Sequence, residues 1–283
     1  MAWRLHSVRH GAVPPTSCRD AACHVYGDDG MSRVSTKLLR KPFRRAILMN
    51  SKIQCIFFDV GNTLLFPNRG RIHAPLAERG FAPDAELLRD LECRTKNLFD
   101  RMLTTNGSTD HSFWWMFYTQ LLNEIGCKDD AMRDQLVTSI QKSGNWDQIR
   151  PGTAEILREI GERYRIAVIS NADGGIEDVL QRCGIARCFR TITDSGLVGY
   201  EKPHPEIFRQ ALLSLNAAPQ ESLYVGDVYS VDYLGATGAG MNAILMDVPG
   251  AYRNKGVPRV ESLPELQSAL RDGEPYLPSG KSK

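Results

Sequence analysis

Six residues able to do chemistry stand where a chain of alternating strands and helices would present them together: Asp59, Ser170, Asn171, Lys202, Asp227 and Asp232. Asp59 follows the apolar run IleGlnCysIlePhePhe, Ser170 and Asn171 end the run ArgIleAlaValIleSerAsn, and Asp227 ends SerLeuTyrValGlyAsp, with Asp232 a turn further on. Lys202 lies in GlyTyrGluLysProHisProGluIlePhe, just before a proline-braced helix start. A carboxylate such as Asp59 can attack phosphorus and divide a hydrolysis into two easier steps. It can approach another anion only if charge is neutralised, which a magnesium ion or the Lys202 ammonium would do. Ser170 and the peptide N–H groups near Asn171 are donors of the kind that stabilise charge developing on phosphoryl oxygens. Taken singly, each residue has a plainer reading, because a strand-end Asp often caps a helix and a lone Lys usually lies on the surface. Asp173 has two readings as well. It faces the same crevice as a base, or it caps the helix that starts near Gly175.

The elements that must position these residues follow from hydrophobic pattern. Apolar runs rich in β-formers predict strands at 53–60, 165–170, 222–227 and 242–247, with a short fifth near 190–193. Helical patterns fall at 152–163, 174–183, 204–215 and 230–240. Alternating strands and helices with continuously apolar strands predict an α/β fold, a Rossmann-like doubly wound parallel sheet covered on both faces. Ligands of such sheets bind beyond the carboxyl ends of the strands. Residues 66–150 lack strand runs and read as helices: Asp84 can cap one, Gly80 closes the one before it, and 111–122 is the most apolar. Trp114 and Trp115 are expected to pack between these helices rather than touch substrate. The division is therefore a core of 51–65 and 151–272, a helical cap at 66–150, a basic leader at 1–50 and a tail at 273–283.

The 283 residues are 42% hydrophobic and 24% charged, which excludes a disordered or collagen-like chain. No apolar run approaches the ~18–20 residues that span a bilayer. The net charge of +2 is unevenly spread: residues 1–50 carry nine Lys or Arg against three Asp, and the rest carries 26 against 30 acids. The body thus has no basic excess that would point to nucleic acid. The leader is expected to be disordered, with Met31 and Met49 as alternative starts; a transit peptide is the other reading, weakened by Asp20, Asp28 and Asp29. Seven cysteines without a zinc-type spacing imply a reducing compartment, so a cytoplasmic protein, or an organellar one if the leader is a transit peptide. Cys55 is expected in the core.

In this order, around one insertion, the motifs resemble the four signature motifs of the haloacid dehalogenase (HAD) superfamily of hydrolases, over about residues 52–270. GlyTyrGluLysProHisProGluIlePhe is especially similar to the third motif, and the inserted helices resemble a cap placed after the first. The resemblance implies a magnesium site formed by Asp59, the Gly61 carbonyl and Asp227, supported by Asp232 directly or through water. It implies Asp59 as nucleophile, Lys202 beside it, and Asn62, Thr63 and Asp173 near a small phosphorylated substrate.

One position departs from the pattern. Most phosphatases of the superfamily read Asp-x-Asp-Gly-Thr in the first motif, where the second Asp protonates the leaving group and then activates water. Here the stretch is AspValGlyAsnThr, and that place is Gly61. The cap with its Trp-Trp, IleSerAsnAlaAsp and GlyAspValTyrSerValAspTyr are most similar to a subgroup that also lacks the second Asp. Three readings stay open: a phosphatase with a substitute base such as Asp173 or a cap residue; a phosphonate or haloacid hydrolase; or a catalytically weak relative that binds a phospho-ligand or a protein. The phosphonate branch requires a Schiff-base lysine in the cap, where Lys96, Lys128 and Lys142 stand. If the site is otherwise intact, Gly61→Asp is expected to raise phosphate-ester turnover.

Overall fold

The computed structural model describes residues 53–106 and 112–271. The expectations for the leader 1–50 and the tail 273–283 lie outside those residues. Eight strands occur among the described residues: β1 (Cys55–Phe58), β2 (Leu65–Phe66), β3 (Gln148–Ile149), β4 (Arg165–Ser170), β5 (Ile192–Asp194), β6 (Ser222–Gly226), β7 (Asn242–Met246) and β8 (Arg259–Val260). Six form a parallel sheet in the order β5-β4-β1-β6-β7-β8. Its flanking helices are α6 (Thr153–Arg163), α7 (Ile176–Arg182), α8 (Ser195–Val198), α9 (Pro205–Ser214), α10 (Leu234–Gly238) and α11 (Leu263–Arg271).

The centre of the sheet is β1, bonded to β4 on one side and β6 on the other, with all four of its residues buried. Its side chains alternate between faces. Ile56 and Phe58 join Val168, Val225 and residues of α6, α7 and α11 in one core. Cys55 and Phe57 join Ala167, Ile169, Tyr224 and residues of α9 and α10 in the other. A strand buried on both faces must be apolar throughout, and that explains the unbroken runs in the sequence.

The boundaries differ from the sequence expectations where turns intervene. The strand expected at 53–60 stops at Phe58 because the chain folds back: the N–H groups of Thr63, Leu64 and Leu65 all donate to the Val60 carbonyl. The short strand expected at 190–193 lies at Ile192–Asp194. The helix expected at 230–240 is a single π-turn, Tyr229–Tyr233, running into α10. Strand β8 and the antiparallel pair β2–β3 have two residues each, too few for a hydrophobic period to reveal.

Between β2 and β3 come the inserted helices α1 (Arg69–Ile72), α2 (Ala74–Glu78), α3 (Ala85–Asn106), α4 (Phe113–Glu124) and α5 (Asp130–Ile140). Asp84 caps α3, accepting from the Leu87 N–H at 2.8 Å, and Gly80 follows α2 with a φ of +82°. The insertion has a core of its own, built on Leu76, Leu91, Phe117, Leu121 and Leu136. The two tryptophans divide: Trp114 packs edge-on against Phe117 at 5.6 Å, whereas Trp115 carries the Arg133 guanidinium over its ring at 4.8 Å. Cys55 is in the core as expected, and Cys93, Cys127, Cys183 and Cys188 are free thiols. No helix among the described residues is long and apolar enough to cross a membrane.

One buried histidine ties stability to pH. His73 is 9% exposed, its Nε2 lies 3.3 Å from the Tyr118 hydroxyl, and burial, with Arg69 nearby, pulls its pKa from 6.5 to about 4. The imidazole stays neutral in the fold while the unfolded chain takes up a proton below 6.5. Its stabilising share is therefore complete above that value and is lost as pH falls from 6.5 towards 4, by at most about 1.4 kcal/mol per pH unit. In denaturant titrations at pH 7 and pH 5, the wild type is expected to lose more stability on acidification than His73→Gln; equal losses would remove His73 as a cause.

Candidate active site

A cleft of about 500 Å³ opens beyond the carboxyl ends of β1, β4 and β6. Asp59, Gly61, Asn62, Ser170, Asn171, Asp173, Lys202, Asp227 and Asp232 all line it. Thr63 does not: it is 4% exposed and held in the turn after β1, so its expected place beside substrate is corrected to one inside that turn.

The Lys202 ammonium is the hub. Its Nζ donates to Asp59 Oδ1 at 2.7 Å, Asp232 Oδ1 at 2.8 Å and the Tyr224 hydroxyl at 2.7 Å, which uses all three of its protons. Asn171 fixes where this lysine starts, since its amide accepts from the Lys202 N–H at 2.7 Å and donates to the Lys202 carbonyl at 3.0 Å. Burial alone would pull the lysine pKa down, but Asp232 and Asp59 outweigh it and hold the group charged.

Asp232 is heavily bonded. Besides Lys202, its Oδ1 lies 3.0 Å from the Tyr224 hydroxyl, whose single proton is shared with the Ile169 carbonyl at 3.2 Å, and its Oδ2 accepts from the peptide N–H groups of Asp227 at 3.0 Å and Val228 at 2.9 Å. Asp232 thus adds its charge beside Asp59 and Asp227 and shapes the turn that carries Asp227. Gly226 makes room for this, because a Cβ there would lie 2.5 Å from Asp232 Cγ.

Asp59 and Asp227 each keep one oxygen open. Asp59 gives Oδ1 to Lys202, and Asp227 gives Oδ2 to Asn62 at 3.3 Å and to Lys96 at 2.8 Å. Asp59 Oδ2, Asp227 Oδ1 and the Gly61 carbonyl accept nothing from the described residues. Asn62 reaches Asp227 from a left-handed backbone, φ +52°, which an Asn tolerates. Oxygens of Asp59, Asp227 and Asp232 lie within 4.8 Å of one another. Burial pushes the Asp59 carboxyl up to about 7, with Asp232 and Asp227 adding and Lys202 opposing. Burial likewise raises Asp227 against the pull of Lys96.

Lys96 is a residue whose role the sequence did not disclose. It comes from α3 of the insertion, is fully buried, and pairs with Glu92 at 3.0 Å as well as with Asp227. Held by two carboxylates, it is charged and is not among the residues lining the cleft, while Lys128 and Lys142 are exposed outside it. No lysine of 66–150 thus lines the cleft, which argues against a Schiff-base reading. With every group ionised, Glu92, Asp59, Asp227 and Asp232 face only Lys96 and Lys202, leaving two negative charges uncompensated. Two open carboxylate oxygens, an open carbonyl and a surplus of two charges fit one oxygen-seeking divalent cation.

Asp173 does not cap α7, whose first N–H donates to Asp194 instead; it latches Ser143 to the turn before that helix. It accepts from the Ser143 hydroxyl, the Ser143 N–H at 3.2 Å and the Gly175 N–H at 3.3 Å. Burial pushes its pKa up, but these bonds outweigh it and leave the carboxyl below its usual range. Gly61 faces an aromatic: a Cβ there would meet the Trp146 ring at 3.2 Å. Trp146 Nε1 donates to the Ile140 carbonyl at 2.7 Å, and its ring packs on Trp114 at 5.6 Å. A gain from Gly61→Asp therefore requires the Trp146 indole to yield by a few tenths of an ångström.

A lysine-pinned aspartate beside a cation-ready carboxylate pair, at the carboxyl ends of a parallel sheet and under an inserted block of helices, defines a class of α/β hydrolases. Residues 53–240 match the haloacid dehalogenase-like hydrolase family, and the chain belongs to it. It is 30% identical over 241 residues to haloacid dehalogenase-like hydrolase domain-containing protein 3 of Homo sapiens, covering 77% of this chain and 93% of that one. It is 40% identical over 102 residues to a glyceraldehyde 3-phosphate phosphatase of Methanothermobacter thermautotrophicus, covering 34% and 44%. In fold it is similar to a putative HAD-hydrolase of Bacillus subtilis solved bound to magnesium, with a TM-score of 0.58 at 17% identity over 78% of this chain and 99% of that one.

Replacing Lys96 by Met leaves Glu92 and Asp227 buried without their shared cation. The expected cost is about 3–5 kcal/mol, as for other broken buried pairs. Chemical denaturation of Lys96→Met, and of Lys96→Met with Glu92→Gln as a partial rescue, checks this; a loss under ~1 kcal/mol would mean that water compensates the carboxylates.

Proposed function

We propose that this hydrolase is a magnesium-dependent phosphatase of small phosphorylated metabolites, with Asp59 as the residue that is transiently phosphorylated. The observation that carries this is the open Asp59 Oδ2 facing the cleft beside Asp227 Oδ1 and the Gly61 carbonyl, with Lys202 pinning the other Asp59 oxygen. Magnesium in the name of the Bacillus subtilis neighbour and phosphatase in the name of the Methanothermobacter relative support the same reading.

Asp59, the Gly61 carbonyl and Asp227 would hold the ion, which when bound neutralises phosphoryl charge and polarises a phosphoryl oxygen. The protein's own groups do the rest. Lys202 orients Asp59 and offsets charge at the attacking oxygen. The Ser170 hydroxyl and the Asn171 N–H reach the transferring group from the end of β4, while the Ala172 N–H is spent on the Ser195 hydroxyl. Asn171 positions Lys202, and Asp232 positions Asp227, each through paired hydrogen bonds. Residues 66–150 act as a cap over a catalytic body formed by 51–65 and 151–272, and the free cysteines of that body accord with a reducing, cytoplasmic setting.

A panel of phosphate esters and anhydrides, assayed with magnesium, tests this. Hydrolysis is expected to fall by at least ~10³-fold in Asp59→Asn, since an amide cannot form the intermediate, and to vanish on chelation. Turnover that survives in Asp59→Asn would sink the assignment.

A further inference from the structure

A phosphate ester of an ordinary alcohol needs a proton on its leaving oxygen, and the described residues of the cleft have little to give one. Among the described residues, the titratable groups lining it are Asp59, Asp173, Glu201, Lys202, Asp227 and Asp232. Asp59 is the attacking group, and Asp227 and Asp232 are engaged around it. Lys202 spends its three protons on Asp59, Asp232 and Tyr224. Asp173 is held as a carboxylate by three donors. Glu201 is exposed at the rim. The place next to Asp59 from which an acid would act is Gly61, and the Trp146 ring lies against it. That ring is fixed by its bond to Ile140 and its packing on Trp114, so it is built into the wall.

The wall facing this point is apolar. Trp146, Trp114, Phe113, Phe99, Ile140 and Val231 line the cleft around the mouth of the Asp59 pocket. Phe113 packs on Phe99 at 5.7 Å and on Trp114 at 4.9 Å, which gives one continuous aromatic surface. A surface of this kind recognises a flat apolar group rather than a sugar or a polyol.

Resting on the phosphatase reading, we infer that the substrate is a phosphoryl compound whose leaving group departs as a stable anion, an acyl or aryl phosphate, with a ring-sized apolar part seated against Trp146 and Trp114. The step balances without an acid. Asp59 Oδ2 forms a bond to phosphorus as the bond from phosphorus to the leaving oxygen breaks, and the carboxylate or phenolate takes the electron pair. Water then attacks phosphorus, the Asp59 carboxylate leaves, and both protons of the water depart on the released phosphate as dihydrogen phosphate. No proton donor is required in the first half and the product itself accepts the proton in the second.

The test compares benzoyl phosphate, 4-nitrophenyl phosphate, acetyl phosphate and benzyl phosphate on the full chain with magnesium. Benzoyl phosphate is expected to exceed benzyl phosphate by about 10²–10⁴-fold in kcat/KM, the usual worth of an acid. Benzoyl phosphate is expected to show a lower KM than acetyl phosphate, and Trp114→Ala should erase that preference. Whichever of benzoyl and 4-nitrophenyl phosphate is faster tells acyl from aryl. In Trp146→Ala with Gly61→Asp, benzyl phosphate turnover should rise by about 10²-fold over Trp146→Ala alone, whereas Gly61→Asp by itself should not raise it. Benzyl phosphate hydrolysed within about tenfold of benzoyl phosphate overturns the inference and leaves the phosphatase reading intact. So does a selective loss of benzyl phosphate turnover in Glu201→Gln, which would make Glu201 the missing acid. Benzoyl phosphate hydrolysis that persists in Asp59→Asn, or no hydrolysis of any compound by the wild type, overturns both.

Discussion

Four carboxylates and two ammonium groups share one buried volume, and the imbalance between them organises the rest of the site. Charges taken out of water survive only when paired and fully hydrogen-bonded. Lys202 meets that demand for Asp59 and Asp232, whereas Lys96 offsets Glu92 and Asp227 by ion pairing alone. What they leave over is two negative charges and two unshared carboxylate oxygens on the side that faces the cleft. The arrangement of β1, β4 and β6 matters because these three adjacent strands bring Asp59, Ser170 and Asp227 to one edge of the sheet.

The parts of the site that were legible in the sequence were those carried by strand ends. A strand buried on both faces writes itself as an unbroken apolar run, and the first polar residue after it marks the tip, so Asp59, Ser170 and Asp227 could be located before any coordinates. Asn171 was legible as the neighbour of such a tip and Lys202 by its motif before a proline-braced helix start, though the clamp between the Asn171 amide and the Lys202 backbone was not. The functional residues that stayed hidden come from helices or from inside the sheet. Lys96 sits in a helix whose sequence gives no sign of which face is inward, and it stood only as one of three cap lysines. Tyr224 occupies an ordinary core position of β6, and its hydroxyl becomes meaningful only once Lys202 reaches it from the turn before α9. Trp146 lies 85 residues from Gly61, and nothing local connects the two.

Valence separates two aspartates that the sequence treats alike. Asp227 and Asp232 stand five residues apart and are both buried, yet Asp227 keeps one oxygen open while both oxygens of Asp232 are bonded. The difference arises from Gly226, which lets Asp232 fold under the peptide groups of its own loop. Counting hydrogen bonds therefore distinguishes a residue that can serve a ligand from one that serves the scaffold, where residue type and spacing cannot.

The long helix α3 gives the cleft an unequal pair of walls. It is stitched to the sheet side at Asp100 through the Ser230 N–H, at Asn97 through the Ala251 carbonyl, at Cys93 through the Pro249 carbonyl and at Lys96 through Asp227. The opposite wall, at Gln141, Ser143 and Trp146, is tied to the sheet side chiefly through Asp173 and the short β2–β3 pair. The chamber is thus fastened along one side and lightly latched along the other, and the fastened side is the one that holds the charge.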